Sequence, residues 1–307
     1  MEYGEDSVIS SCTILNEIAT DNLSGASAIY LKAIDYLKAI LREAEGRSAT
    51  QLPQILREAG KELIAAQDAM APLYNLTAEV INCADMADPP VGMNSRLTEL
   101  LDKLTDSDRS AIAAAAERAI PLIGKGSVIL TISYSAAVRE LILRHPDRNS
   151  LKVVVPESRP MCEGKQLAKD LGSAGVSTVL IADMAFGSYL SDVDCFVCGA
   201  DAVTEKYIVN KIGTAAICRA IEASGRSTIA VFSENKVISS DVFRFSPDYH
   251  PREELTLDSI PNCVVENCYF EKVPLSSFTY LVSNSTLHTP ETLQKFIEQY
   301  RFPTGVL

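Results

Sequence analysis

Residues 194–214 read DCFVCGADAVTEKYIVNKIGT, and this stretch decides the fold because a buried strand ends in it at an acid. The residues before Asp201 are almost entirely apolar. A loop then brings an amide and an ammonium side by side, Asn210 and Lys211, and Gly213 opens an apolar helix. A strand buried on both faces that leads towards a helix is typical of a parallel sheet in an α/β protein.

The rest of the C-terminal half repeats this pattern. Short, near-continuous apolar runs, each followed by a helical stretch or a loop, indicate further buried strands. These runs are residues 127–132, 151–155, 178–182 and 228–232. Residues 264–270 and 278–282 are candidates to extend the same sheet, and residues 290–300 predict a closing helix.

The N-terminal part reads as helices. Apolar residues recur at helical spacing over residues 25–45, 52–66, 76–81 and 97–104. A run of cap-type residues, 105–108, predicts a break before a further helix over residues 112–120.

The character of the chain changes near Gly124-Lys125-Gly126, because no convincing strand precedes this turn. We therefore predict an α/β fold: a helical N-terminal domain, residues 1–123, followed by a Rossmann-like parallel-sheet domain, residues 124–307. The glycine turn precedes a strand instead of joining a strand to a helix, so it is no dinucleotide fingerprint. We expect no NAD and no other cofactor.

The net charge and the apolar content of the sequence restrict the classes of partner that the protein can bind. The formal charge is −12 over 307 residues, which argues against nucleic acid as a direct partner because phosphate neutralisation needs a clustered basic surface. The sequence contains no apolar run long enough to predict a membrane-spanning helix. The acidic start MEYGEDSVIS lacks the basic and apolar regions of a secretory signal. The expectation is a soluble, cytoplasmic protein.

Cysteine and histidine add little chemistry. Cys195 and Cys198 are the only close cysteine pair, and their spacing in a strand sends them to opposite faces of the sheet. We expect buried, reduced thiols and no metal site. His145, His250 and His288 are isolated in polar or proline-flanked settings, which favours solvated or turn histidines over catalytic ones.

Polar residues follow each predicted strand, and parallel sheets bind ligands at the carboxyl ends of their strands. They are Ser133, Ser135, Arg159, Asp183, Asp201 and Lys236, joined by Asn210 and Lys211. Together these groups fit a small, anionic, hydroxylated ligand such as a sugar phosphate, and Gly213 before a helix would add backbone N–H donors. Taken singly, each has a plainer interpretation as a helix cap, a turn residue or a surface charge.

Four blocks in this order resemble one known family: residues 154–171, VVPESRPMCEGKQLAKDL, then 178–186, TVLIADMAF, then 197–203, VCGADAV, and 209–214, VNKIGT. The family comprises the alpha, beta and delta regulatory subunits of eukaryotic translation initiation factor 2B and two isomerases. Those isomerases act on ribose-1,5-bisphosphate and on methylthioribose-1-phosphate. The resemblance is weaker in the helical part, where it rests on residues 21–27, DNLSGAS.

The resemblance implies a pocket for a sugar phosphate or nucleoside phosphate, and a homo-oligomer or an assembly with related subunits. Asp201 matches the catalytic acid of the ribose-1,5-bisphosphate isomerases. The implied ligand-binding positions are Gly25, Ala26, Ser133, Ser135, Arg159, Asn210, Lys211 and Lys236.

The departures from the isomerases concern the catalytic groups. Ser133 stands where they carry a cysteine, and an alkyl hydroxyl needs a neighbouring base before it can take part in proton transfer. Ser24 and Ala71 stand where they usually carry arginines. We predict a regulatory, initiation factor 2B-like protein that binds its ligand without efficient catalysis. The alternatives are an aldose–ketose isomerase that uses Asp201 and an oligomeric scaffold with a vestigial pocket.

Overall fold

The structure is a computed structural model, and it describes residues 9–46, 48, 50–86, 92–247 and 249–299. The described α-helices are α1 (Ser11–Thr20), α2 (Ala26–Glu43), α3 (Leu52–Ala66), α4 (Ala71–Asp85), α5 (Met93–Ala119), α6 (Ala136–Arg144), α7 (Gly164–Ser173), α8 (Thr214–Ala223) and α9 (Pro290–Gln299). The described strands are β1 (Val128–Leu130), β2 (Lys152–Pro156), β3 (Ser177–Ile181), β4 (Cys195–Cys198), β5 (Ala202–Val203), β6 (Tyr207–Lys211), β7 (Ser227–Val231), β8 (Phe270–Pro274), β9 (Tyr280–Val282) and β10 (Leu287–His288). The predicted fold class is confirmed.

The helical part forms its own core. Helices α1 to α4 and the first half of α5 bury one apolar cluster, in which Ile29, Leu63 and Leu97 are fully buried. Each such side chain contributes about 1.5–3 kcal/mol relative to an exposed one. Helix α1 lies outside the predicted helices; it begins where the Ser10 hydroxyl accepts the backbone N–H of Thr13.

Helix α5 corrects the predicted break at residues 105–108. The hydroxyl of Thr105 donates to the carbonyl of Leu101, and that of Ser110 donates to the carbonyl of Asp106. Hydroxyls bonded one turn back do not cap a new helix. The cap-type residues therefore continue a single helix, Met93–Ala119.

The second half of α5 leaves the helical core and packs on the sheet. Ile112, Ala115 and Ala116 belong to the same buried cluster as Ile129 and Val153 of the central strands. This helix thus ties the two parts together, and the domain boundary near residue 124 stays a prediction.

The main sheet of the described residues has the strand order β10-β9-β7-β4-β1-β2-β3, and β10 is the one of these seven strands that runs antiparallel to its neighbour. Strands β1, β2 and β3 follow one another in one direction, whereas β4, β7 and β9 follow in the other. The order therefore reverses between β1 and β4. Crevices at such a reversal are where open α/β sheets bind ligands.

A smaller antiparallel sheet, β5-β6-β8, lies beyond the carboxyl end of β4. It corrects the expectation for residues 264–270, because the strand begins at Phe270 and pairs with β6 instead of joining the main sheet. Residues 278–282 do join the main sheet, as β9 beside β7. The closing helix is α9, and residue 300 of its predicted span lies outside the described residues.

Two histidines are buried: His145 is a turn histidine, as one of the two predicted settings allows, whereas His288 is neither solvated nor in a turn. His145 ends α6 with its Nε2 3.1 Å from the carbonyl oxygen of Ile123, and His288 lies in β10 where burial lowers its pKa. His250 stacks on the ring of Tyr269. None of the three histidines lines the cavity described below.

Candidate functional site

A cavity of about 280 Å³ lies at the strand-order reversal, between the carboxyl edge of the sheet and the helical part. Its sheet side is formed by residues 132–135 after β1 and residues 199–201 after β4. Its helical side is formed by residues 22–28 at the start of α2 and by the middle of α5. The predicted residues that line it are Gly25, Ala26, Ser133, Ser135, Asp201, Asn210, Lys211 and Lys236.

Two predicted residues, Arg159 and Asp183, do not line the cavity. The Arg159 side chain is exposed, and its guanidinium donates to the carbonyl of Glu254 at 3.1 Å. The carboxylate of Asp183 accepts the backbone N–H groups of Ser158 and Arg159, at 2.6 and 2.7 Å, and holds this turn. Asp183 is therefore a turn residue here, and the guanidinium of Arg159 contacts Glu254 outside the cavity lining.

A buried ion pair lies on the sheet side of the site. The Lys211 ammonium lies 2.8 Å from Oε1 of Glu163, and their side chains are only 3% and 11% exposed. The hydroxyl of Ser133 donates to the same carboxylate oxygen at 2.9 Å. The other oxygen of Glu163 is buried without a hydrogen-bond partner among the described residues. Glu163 is thus the carboxylate beside Ser133 that the sequence analysis did not single out.

The backbone around Glu163 is tightly constrained. Ser133, Ser158 and Cys162 have φ of 63°, 66° and 60°, a region that side-chain-bearing residues seldom adopt. A Cβ added to Gly164 would lie 2.0 Å from the carbonyl oxygen of Pro156, so only glycine lets α7 begin this close to β2. Since α7 begins directly after Glu163, this contact constrains the backbone position of Glu163.

Asp201, Lys236 and Asp108 line the cavity, and Lys236 interacts electrostatically with both acids. Burial raises the pKa of Asp201 to about 6, an effect that the Lys236 ammonium opposes and the Glu163 carboxylate reinforces. Burial likewise lowers the pKa of Lys236, against the attraction of both acids, and raises the pKa of Asp108. No hydrogen bond or ion pair from a described residue reaches the side chains of Asp201 or Lys236, so both remain available to a ligand.

Two of the predicted ligand-binding groups already donate hydrogen bonds to other parts of the protein. The side-chain nitrogen of Asn210 donates to the Thr214 hydroxyl at 2.9 Å, which leaves its amide oxygen as the free end. The expectation that Gly213 opens an anion site at the start of α8 is wrong, because Glu271 occupies it. Its Oε1 accepts the backbone N–H groups of Gly213 and Ala215, at 2.8 and 3.0 Å.

The structure adds residues that the sequence did not single out. Glu163, Asp108 and Arg109 line the cavity, and Arg109 is exposed there on α5. The aromatic ring of Tyr269 lies 5.1 Å from the Lys211 ammonium. Glu163 lies four residues after Arg159 in the loop that follows β2 and could have been suspected from the sequence, whereas Asp108 was interpreted as part of a helix break.

The two close cysteines lie on opposite faces of the sheet, as predicted. Cys195 and Cys198 are buried in different apolar clusters, and burial raises the pKa of Cys195 to about 12. Within the described part of the chain, no group of three or more His, Cys, Asp or Glu side chains could hold a metal ion. No described helix is long and apolar enough to cross a membrane.

The fold and the site define an α/β protein with a ligand-sized cavity at the carboxyl edge of a parallel sheet, covered by a helical region. The chain belongs to the Initiation factor 2 subunit family, which it matches over residues 22–290.

Relatives of this chain carry two kinds of name, one of a translation initiation factor and one of an isomerase. It is 32% identical over 205 residues to the "Putative translation initiation factor eIF-2B subunit 2-like" of Pyrococcus horikoshii, spanning 66% of this chain and 70% of the relative. It is 25% identical over 301 residues to the "Ribose 1,5-bisphosphate isomerase" of Methanocaldococcus jannaschii, spanning 92% and 93%. The solved structure of the Pyrococcus horikoshii translation initiation factor eIF-2B superposes with a TM-score of 0.78 at 24% identity, covering 92% of this chain and 98% of that one.

Proposed function

We propose that the cavity binds a sugar phosphate or nucleoside phosphate, and that the protein is a regulatory, initiation factor 2B-like member of its family. One observation carries this proposal: Asp201 and Lys236 lie in a ligand-sized cavity and attract one another, but neither side chain has a hydrogen bond or an ion pair from a described residue. Buried charged groups whose hydrogen-bonding capacity the described residues leave unused favour a ligand that satisfies it.

Each part of the ligand has matching groups in the cavity. Lys236, which follows β7, and Arg109, on α5, are the cations for a phosphate, since Lys211 is already paired with Glu163. Asp201 and the free amide oxygen of Asn210 accept sugar hydroxyls. Arg109 thus supplies a cation in a cavity that lacks the arginines expected from the isomerases.

The second candidate function is an aldose–ketose isomerase that converts ribose-1,5-bisphosphate to ribulose-1,5-bisphosphate. The raised pKa of Asp201, about 6, favours it because a carboxyl group near neutrality exchanges protons efficiently. A relative with this name covers nearly the whole chain. Against it stands Ser133 in the place of the expected cysteine.

We also propose that the protein assembles with copies of itself or with related subunits, in the cytoplasm. The edge strand β3 exposes 47% of Leu180, and Met184 just beyond it is 81% exposed. Apolar side chains on a sheet edge favour a partner surface. A monomer at all concentrations in sedimentation equilibrium would contradict the assembly, and a membrane or nuclear fraction in cell fractionation would contradict the location.

A thermal-shift screen tests the binding proposal. Ribose 5-phosphate, ribose-1,5-bisphosphate and AMP are each added to the purified protein, and a ligand at a hundredfold excess over Kd stabilises it by about 2.7 kcal/mol. Lys236→Met removes the free cation and should abolish the shift, whereas Lys125→Met, on the exposed surface, should leave it unchanged. If none of these compounds shifts the melting temperature, the cavity is the pocket of a scaffold and the binding proposal fails.

A further inference from the structure

We propose that a second cavity, which shares Asp108 with the first, binds a linear aliphatic diamine or polyamine. This second cavity has a volume of about 290 Å³. It lies between helices α2, α4 and α5 and the segments that follow β7 and β9. Its occupation does not depend on the phosphate ligand proposed above.

The charged residues that line the second cavity are all acids. Glu79 lies on α4, Asp108 on α5 and Glu234 in the turn after β7. No lysine or arginine is among the described residues that line it, whereas the first cavity is lined by both. Acids that line one small cavity repel one another and attract a cation, because the interior screens their charges less than water does.

Two buried side chains of this cavity keep hydrogen-bonding atoms that the described residues leave unused. Asp108 is 3% exposed, and its Oδ1 accepts the side-chain amide of Asn235 at 2.8 Å, while its Oδ2 is buried without a partner among the described residues. Tyr30 is also 3% exposed, and no described residue forms a hydrogen bond with its hydroxyl. Buried polar groups in proteins are nearly always hydrogen-bonded, so these two favour a ligand.

The phenol of Tyr30 lies beside the acids of the cavity. Burial raises the pKa of Tyr30, and the charges of Glu79 and Asp108 raise it further, so the hydroxyl stays protonated. Its oxygen keeps lone pairs that can accept an N–H group. The phenol is therefore a neutral acceptor next to two carboxylates.

Further acceptors come from α4 and from the turn after β7. The side-chain nitrogen of Asn75 donates to the carbonyls of Asn235 and Val237, at 2.7 and 2.9 Å, which leaves its amide oxygen as an acceptor. One oxygen of Glu234 accepts two serine hydroxyls, and the other accepts no hydrogen bond from a described residue. A cavity with several unused acceptors suits a ligand that carries several N–H donors.

The placement of the acids favours an extended cation over a compact one. Glu79, Asp108 and Glu234 belong to three different elements and form no group that could hold a metal ion. Leu104 and Ala111 add apolar surface to the same cavity. A diamine or polyamine matches both features, because methylene groups separate its ammonium groups and pack against apolar side chains.

Isothermal titration calorimetry of the whole protein with putrescine, a linear diamine, tests this site. Butylamine is the matched probe, because it has the same carbon chain and a single ammonium. The diamine is expected to bind saturably and at least about tenfold more tightly than butylamine, since its second ammonium reaches a second acid. Equal affinities of the two amines would overturn the proposal, and so would displacement of the diamine by Mg²⁺ at equal concentration.

Tyr30→Phe removes the unused hydroxyl without changing the net charge of the protein. It should weaken diamine binding roughly three- to tenfold, because one hydrogen bond to the ligand is lost. The variant should unfold like the wild type in urea, since no described residue loses a hydrogen bond. An unchanged affinity in this variant would place the diamine elsewhere and overturn the proposal.

Glu79→Gln and Glu99→Gln are a charge-matched pair of variants. Both residues are exposed acids on helices, but Glu99 lines neither cavity. Glu79→Gln should weaken diamine binding roughly threefold or more, whereas Glu99→Gln should leave it unchanged. Equal weakening by the two substitutions would show a general attraction to an acidic protein and overturn the site. Asp108 is kept in every variant because it also lines the first cavity.

Discussion

Two glycines of helix α7 should respond in opposite directions to the same substitution. In Gly164→Ala the new Cβ would lie 2.0 Å from the Pro156 carbonyl oxygen, a backbone atom that cannot turn aside. Relief to an ordinary contact requires α7 to move by more than 1 Å, roughly, and such overpacking costs about 1–3 kcal/mol or more. In Gly172→Ala the new Cβ meets nothing within 4 Å, so the higher helix propensity of alanine should stabilise by about 0.5–1 kcal/mol.

Urea denaturation followed by circular dichroism measures both changes. The Gly164 variant should also lose ligand binding, because the shift of α7 carries Glu163 away from Ser133 and Lys211. Equal stability of the two variants, or a Gly164→Ala protein that unfolds and binds like the wild type, would refute the argument that this close contact positions Glu163.

Two further changes follow from the buried charges, and a third follows from the apolar core. Lys211→Met should destabilise the protein by about 3–5 kcal/mol in urea denaturation, because it leaves the Glu163 carboxylate buried without its cation. Lys125→Met, which removes an exposed ion pair, should change the stability by less than about 1 kcal/mol. Similar losses in the two variants would contradict the burial of the Glu163–Lys211 pair. In the folded wild type, burial raises the pKa of Asp201 from 3.8 to about 6, so the wild type loses stability as the pH rises through that range. Asp201→Asn removes this loss, so the variant should be more stable than the wild type by about 3 kcal/mol at pH 8 and by progressively less towards pH 4. A gain that is independent of pH would contradict the assignment. Phe196→Ala, in the centre of the sheet, should cost about 3–5 kcal/mol by the same assay, and a loss below about 1 kcal/mol would refute its full burial.

The strands and the edge that carries the site were predictable because parallel strands buried on both faces leave near-continuous apolar runs. The carboxyl ends of such strands meet at one edge, which is why Ser133 and Asp201 could be placed together from the sequence. The reversal of strand order between β1 and β4 then puts these two segments on either side of the crevice.

What the sequence could not show depends on long-range pairing. Glu271 covers the start of α8 because β8 pairs with β6 and places Glu271 opposite Asn210, a register with no local signal. The pairing of Glu163 with Lys211 likewise requires the strained turn after β2. The burial of His145 depends on the distant carbonyl of Ile123.

The central claim is that the cavity holds a phosphorylated sugar, and a ³¹P NMR titration of ribose 5-phosphate with the purified protein tests it most directly. The account predicts a saturable change in the phosphate resonance with the wild type and its loss in Lys236→Met, with both proteins folded by circular dichroism. A resonance that does not change with the wild type, or that changes equally with the variant, would contradict the claim.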